Sequence, residues 1–316
     1  MSFRIRPFEP ADYPAMVELW NLHNPDWSRT VAEEQNSDAK RDPKYRFARF
    51  VAEAGGRVVG VAQHDQSPGS YHPQRFSLEL YLHPDFLGRG LGKALYARLM
   101  EALEPYRPQH LLAQVRESSE RGLRFARERG FRELKRDFVS TLDLRCADLS
   151  PYAGLEEKLA AEGIRLASFA RLLEADPDAA CKLHELFSDF RLDIPRAAPP
   201  TPITLDFFVR NILQGPDYDP RLFLVALEGE RWVGMSGLFR VGDSKDLDLW
   251  ITGVRREYRG RKIALALKVA GVRLARELGF ESIRTDNDSR NAPMLAINRK
   301  LGFVPGPASL TLQKEL

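Results

Sequence analysis

A short glycine-rich turn occurs twice in this chain, and each copy is followed at the same distance by Gly-Phe. The first reads Leu87-Gly88-Arg89-Gly90-Leu91-Gly92, with Gly130-Phe131 downstream. The second reads Arg259-Gly260-Arg261-Lys262-Ile263-Ala264, with Gly302-Phe303 downstream. Gly130 follows Gly88 by 42 residues, and Gly302 follows Gly260 by the same 42. The similarity extends upstream, where Phe50 to Gly60 matches Leu224 to Gly234. The offset is 174 residues there and 172 at the turns and at both Gly-Phe pairs. A nearly constant offset over such a span is a repeat of domain size, too long for a solenoid unit. The 316 residues therefore read as two domains, 1–149 and 150–316, each long enough to bury its own core.

Patterning supports the same division. Alternation predicts strands over 3–8, 47–54, 58–64, 76–82, 110–115 and 138–144, and again over 164–169, 223–227, 232–239, 247–254, 282–285 and 310–316. Each turn opens an amphipathic helix; in the first, Leu91, Leu95, Leu99 and Leu103 form a core stripe. Shorter helices precede each Gly-Phe. Residues 24–46 read as a loop with some helix, and 193–204, with four prolines, as a stiff loop. Alternating strands and helices imply a mixed α/β sheet in both halves. Hydrophobic residues make up 43% and charged residues 29%, as in an ordinary globular protein. A net charge of +3, with basic and acidic residues interleaved, argues against a nucleic-acid partner. Cys146 and Cys181 give neither a disulfide framework nor metal spacing, and the histidines are scattered. No run approaches a membrane span, the start does not read as a secretory signal, and the cytoplasm is the expected address.

A glycine-rich turn between strand and helix directs backbone N–H groups outward, and with the helix dipole these favour an anion such as a pyrophosphate. The spacing is wrong for a dinucleotide fingerprint, and the Gly-Lys-Ser/Thr of a Walker loop is absent. The turn resembles motif A of the GNAT superfamily of N-acetyltransferases, R/Q-x-x-G-x-G/A. Tyr81 to Phe86 resembles the strand before that motif. Glu117 through Phe131, and Asn287 through Phe303, resemble motif B. The resemblance covers nearly the whole chain twice and is similar to the tandem arrangement of the mycothiol-synthase-like proteins. It implies two GNAT-like domains, each a mixed, partly antiparallel twisted sheet flanked by helices. It also implies acetyl-CoA as acetyl donor. The cofactor-binding positions it implies in the first copy are Leu82, Leu87, Gly88, Arg89, Gly90, Leu91, Gly92 and Ser119. In the second they are Val254, Arg259, Gly260, Arg261, Lys262, Ile263, Ala264, Asn287, Asn291 and Asn298. Two departures stand out. Leu87 replaces the leading Arg/Gln, and Lys262 the central glycine. The family's tyrosine acid, seven residues after the motif B Asn, is Ala126 in the first copy and Asn298 in the second.

Acetyl transfer to an amine needs a neutral amine, so a base is useful. Glu79 lies on the strand before the first turn, where the family often has an acidic base, and Asp248 is the candidate in the second half. His83 is a lesser candidate that also reads as a surface turn. Trp250 reads as core, or as a wall of an acceptor pocket. Asn287 and Asn291 read as pantetheine contacts or helix caps. Arg121, Arg124, Arg127 and Arg129 read as a solvated face, with contact to the CoA 3′-phosphate as the alternative. Asp26, Glu33, Glu34 and Asp38 would suit a cationic acceptor, or solvent. The expectation is an N-acetyltransferase acting by direct transfer on a small-molecule amine or peptide, as a monomer or weak homodimer. The alternative is an acyl-CoA-binding scaffold with one or both domains inactive. Tandem relatives point to the C-terminal half as the active one, whereas the intact glycines point to the N-terminal half.

Overall fold

Most of the patterned segments form the expected elements in the structure, a computed structural model that describes residues 2–25 and 28–316. In chain order the first repeat supplies β1 (Arg4–Pro7), α1 (Tyr13–His23), α2 (Val31–Ala39), β2 (Ala48–Ala54), β3 (Arg57–Asp65), β4 (Arg75–Leu82), α3 (Leu91–Leu103), β5 (His110–Arg116), α4 (Glu120–Arg127) and β6 (Arg132–Asp143). Next come α5 (Leu155–Ala161), β7 (Ile164–Ser168), α6 (Phe169–Ala175), α7 (Ala179–Asp193), α8 (Leu205–Phe208), β8 (Phe223–Glu228) and β9 (Arg231–Arg240). The chain ends with β10 (Asp246–Val254), α9 (Ile263–Glu277), β11 (Ser282–Asp288), α10 (Ala292–Leu301) and β12 (Val304–Glu315). The helices α5, α6 and α8 were not expected from periodicity.

Packing divides the chain into two units, one running to Leu134 and including Leu310–Leu316, the other Lys135–Ser309. A cut at 149/150 would assign β6 to the first domain. Its ladder with β11, Asp137↔Asp288 to Asp143↔Ser282, holds it in the second unit instead. The last residues of β12 lie beside β5 in the first unit.

In the first unit, β1 to β4 form antiparallel neighbours and β4 and β5 are parallel. Alternation sends Val51, Val61 and Tyr81 towards α1, whose Met16, Val17 and Leu19 complete that core. It sends Ala52, Gly60 and Leu82 towards α3. Leu95, Leu99 and Leu103 of α3 are fully buried. Each such leucine contributes roughly 1.5–3 kcal/mol by leaving water, so this stripe fixes the helix that starts at the glycine turn.

The second unit repeats the scheme: β7 to β10 are antiparallel neighbours and β10 and β11 are parallel. Phe187 and Phe190 of α7 pack with Met235 and Ile251 on one face. Ile263, Ala266 and Leu267 of α9 pack with Ala226, Val233 and Val254 on the other. Even the irregularities recur: the β2–β3 ladder passes over Val59 of β3 opposite Ala52 and Glu53, and the β8–β9 ladder passes over Val233 of β9 opposite Ala226 and Leu227. One irregularity is private to the second unit: a bulge between Leu249 and Ile251 in β10.

Candidate active site

In each unit the parallel strand pair comes apart before it ends. The β4–β5 ladder stops at Leu78↔Ala113, although β4 runs on to Leu82 and β5 to Arg116. The β10–β11 ladder stops at Leu249↔Thr285, although the strands run on to Val254 and Asp288. The split leaves peptide groups without strand partners, and the glycine turn and its helix follow immediately. The N–H groups at such a helix N-terminus suit an anion.

The turn keeps one backbone shape in both units. Gly88 and Gly90 have φ of +78° and +85°; Gly260 and Lys262 have +82° and +63°. Gly90 and Lys262 each precede the first residue of a helix, α3 and α9. Lys262 thus adopts a left-handed conformation that costs an L-residue roughly 1–2 kcal/mol, and the amide cradle survives the substitution.

The surroundings of the two turns differ. In the first, a Cβ on Gly88 would lie 3.2 Å from Arg121 Nη2, so a guanidinium from α4 sits over the turn that lacks its leading arginine. Arg129 is committed elsewhere, donating to the Phe125 carbonyl at 2.8 Å and stacking on its ring. Leu91 is buried, while Leu82 packs against Gly60 and Gly92, and the Leu82 carbonyl accepts from His23 Nε2 at 2.8 Å. Arg89 lies 5.1 Å from the ring centroid of Phe86. In the second, Arg259 donates to the Val254 carbonyl at 3.1 Å and pairs with Asp193, which also holds Arg256. Arg261 reaches Glu228 and Glu162. Ile263 is buried, and Ala264 borders the core. Ser119 precedes α4 without a side-chain cap bond, whereas Asn291 caps α10 by accepting from Met294 N–H at 3.4 Å.

Glu79 stands on the split end of β4, on the α1 face. It lines a recess with Met16, Val17, Trp20, Arg29, Glu34, Val61, Gln63 and Tyr81. Gln63, directly across the β3–β4 ladder, donates to Glu79 Oε2 at 3.1 Å. Arg49 fixes the orientation of that amide by donating to Gln63 Oε1 at 2.7 Å, and Arg49 is itself held by Asp38 at 2.7 Å. Burial pushes the Glu79 carboxyl from its ordinary 4.5 up to about 7, with the nearby Asp65 carboxylate adding to the rise. Burial raises Asp65 as well. The recess has an aromatic wall, where Arg29 lies 3.8 Å from the Trp20 ring centroid and pairs with Glu34 at 2.7 Å. Asn21 brackets Arg29, donating to its carbonyl and accepting from its N–H. Asp26 lies outside the described residues.

The second unit places different groups at the same points. Register aligns the pair Gln63–Glu79 with Gly237–Ile251. Ile251 is buried and has no proton to exchange. A Cβ on Gly253 would overlap the Phe190 ring, so α7 lies directly on the β10 backbone. Asp248 is on β10 before the bulge, where Arg284 of β11 donates to it at 2.9 and 3.3 Å. Burial raises its carboxyl and Arg284 opposes the rise. Trp250, at the bulge, stacks on Phe187 with centroids 4.5 Å apart. Asn287 and Asn298 bond to each other, and Asn298 also accepts from Lys268 Nζ at 2.6 Å. Burial pulls the Lys268 amine down to about 7.

Sequence reasoning passed over Gln63, Arg29 and Lys268. Lys268 leaves a legible trace: it stands four residues after Ala264 and four before Val272, on the buried stripe of its helix. Among the described residues, no cluster of His, Cys, Asp or Glu is arranged to hold a metal ion, and no helix is long and apolar enough to cross a membrane.

Comparison with known proteins matches residues 14–131 and 182–303 to the acetyltransferase (GNAT) family. A mycothiol acetyltransferase of Streptomyces scabiei (strain 87.22) is 25% identical over 295 residues, 92% of this chain and 87% of its own. A mycothiol acetyltransferase of Thermobispora bispora is 26% identical over 317 residues, 96% of each chain. Among solved structures, a GCN5-related N-acetyltransferase from Sphaerobacter thermophilus superposes with a TM-score of 0.71 at 23% identity, covering 99% of this chain and 95% of its own. A tandem GNAT protein from the clavulanic acid biosynthesis pathway gives 0.71 at 20% identity, covering 99% and 98%.

Proposed function

Because the chain belongs to the acetyltransferase (GNAT) family and carries that fold twice, we propose that it moves an acetyl group from acetyl-CoA directly to the amine of a small molecule or peptide, with the chemistry in the first unit. The observation that carries this reading is Glu79. It is a carboxylate at the split of β4, lifted to about 7, in a recess on the strand that leads to an intact glycine turn. A base poised near neutrality accepts a proton from an ammonium and still releases it to solvent.

The amides of residues 88–92, with Arg121 above Gly88, hold the pyrophosphate. The thioester enters the β4–β5 split, and the acceptor enters the recess between α1 and β4. Glu79 takes one proton from the ammonium. The neutral nitrogen attacks the thioester carbonyl, the C–S bond breaks, and the second nitrogen proton ends on the CoA thiolate through solvent, since Ala126 offers no hydroxyl. Positioning supplies much of the acceleration, because the thioester is already activated. Gln63 orients Glu79. Glu34 and Trp20 already hold Arg29, and the names of the two relatives put a mycothiol-related amine in the first test panel.

The same comparison supports a second reading for the second unit, binding without turnover, because Gly237 and Ile251 occupy the positions of Gln63 and Glu79. Thiol release from acetyl-CoA, measured with a panel of amines, tests both. Gly90→Glu abolishes it and Lys262→Glu leaves most of it. The opposite pattern places the chemistry in the second unit.

A further inference from the structure

The second unit contains a buried polar chain on the face of α9 and α10. Lys268 Nζ on α9 donates to Asn298 Oδ1 on α10 at 2.6 Å, and Asn298 Nδ2 donates to Asn287 Oδ1 on β11. Lys268 and Asn298 are each 2% exposed. The amine lies 5.4 Å from the Phe303 ring centroid. The 172-residue offset puts Tyr96, Ala126 and Val115 at the matching positions of the first unit. Burying an amine is unfavourable, and an apolar side chain would fill the same space at lower cost. Packing alone does not account for the lysine.

Its effect on the two amides is definite. Below about pH 7 the Lys268 amine is an ammonium, which donates and never accepts, so the atom of Asn298 facing it is its oxygen. The other end of that amide is then the Nδ2 donor, which requires the oxygen of Asn287 to face it. The group left at the outer end of the chain is Asn287 Nδ2. Without the lysine, both amides could flip together and present an oxygen there instead.

Asn287 occupies a specific place. It lies on β11 beyond Thr285, where the β10–β11 ladder has ended, and it shares the sheet face of Thr285 and Ile283. Ile283 packs against Val272 of α9 and Leu301 of α10, so this is the face on which α9 rises from the glycine turn. A ligand headed by a pyrophosphate at residues 260–264 would lay its arm along this split.

We propose that Lys268, Asn298 and Asn287 form a positioning chain for a second acyl-CoA site, in which the lysine fixes both amides so that Asn287 Nδ2 donates to a carbonyl of the pantetheine arm or thioester. Lys268 is a positioning residue, since it acts through Asn298. The inference shares its ligand class with the proposed function but not its location, and stands whether or not Glu79 is the base.

The test uses the full-length chain carrying Gly90→Glu, which silences the first turn. Two probes are titrated calorimetrically at pH 6, where Lys268 is charged: CoA, and 3′-phospho-ADP, which has the same nucleotide and pyrophosphate but no arm. Lys268→Met and Asn287→Asp are each expected to weaken CoA about five- to tenfold and to leave 3′-phospho-ADP unchanged, as loss of one oriented hydrogen bond requires. Asn287→Asp keeps the shape and lies at the edge of the core, so it decides the matter alone if Lys268→Met fails to fold. Unchanged CoA affinity in the folded variants overturns the proposal, as does equal weakening of both probes. Absence of any CoA binding in the Gly90→Glu protein also overturns it. Failure of the proposed function registers separately, as acetyl transfer by the otherwise unaltered chain that survives Glu79→Gln.

Discussion

Glu79→Gln is expected to abolish activity and stabilise the protein, and both effects trace to one cause. The carboxyl is raised from 4.5 to about 7, so the folded protein holds a proton there that the unfolded chain has released. Between those two values stability falls as pH rises, and above about 7 the whole penalty is present. Complete conversion of the shift gives about 3 kcal/mol. The carboxyl faces an open recess and keeps the Gln63 hydrogen bond, so about 1–2 kcal/mol is the expected gain for a neutral isostere at pH 8. At pH 4 the wild-type carboxyl is largely protonated in both states, and the variant should match it to within about 0.2 kcal/mol. Urea unfolding at both pH values, followed by a probe in the first unit, measures the difference. Activity should fall at least 100-fold, with loss of the rising limb near pH 7 in kcat/KM. A variant that is equally stable or less stable than wild type at pH 8 refutes the electrostatic argument. One that keeps the pH limb refutes the assignment of Glu79 as base.

Other outcomes follow from the same geometry. Gln63→Leu should lower kcat more than acetyl-CoA affinity and shift the pH limb upwards, because Glu79 loses the donor that favours its charged form; an unmoved limb in the pH–rate profile contradicts this. Lys262→Gly should raise stability by about 1 kcal/mol in denaturant titrations by relieving the left-handed backbone, with little effect on turnover. Gly253→Ala should cost about 1–3 kcal/mol through overlap with Phe190, and Phe190→Ala in the same chain should recover part of it, a coupling read from a double-mutant cycle.

The features legible in the sequence were those written locally. Two hairpins, two glycine turns and the leucine stripe of α3 announce themselves within a few residues, and the helix after Asn291 ends where its pattern ends. While the candidacy of Glu79 as a base came from the resemblance, its place on a strand before the turn was legible from the pattern. Its partners were not: Gln63 is 16 residues away and meets Glu79 only across the β3–β4 ladder. The packing division departs from the boundary at 149/150 for a similar reason. β6 looks like the closing strand of its own repeat, but a strand belongs to the sheet that satisfies its peptide groups, and those lie on β11. Local signals were also available that periodicity hid. Thr30 and Glu33 form a capping box at the start of α2, and Ser168 caps α6, directly after a strand that had seemed to continue through Phe169.

The repeat shows how two copies of one fold come to differ. The backbone features recur almost unchanged: the early bulge, the split of the parallel strands, the left-handed residue before the helix. The side chains at the split do not. On the face of α1 and α7, a carboxylate with an oriented amide in one copy is replaced by Gly237 and Ile251 in the other, with Phe190 laid on the next residue. On the opposite face, the polar chain runs in the other direction: Tyr96, Ala126 and Val115 in the first copy, Lys268, Asn298 and Asn287 in the second. One copy has its buried titratable group on the α1 side of the sheet, and the other has it on the α9 side. If buried charge were incidental to folding, a replacement that removes it should stabilise either copy and leave ligands alone. Glu79→Gln and Lys268→Met should therefore each be paired with a ligand measurement. Stabilisation with loss of turnover in the first, and of arm-dependent CoA affinity in the second, is the result that separates function from accident.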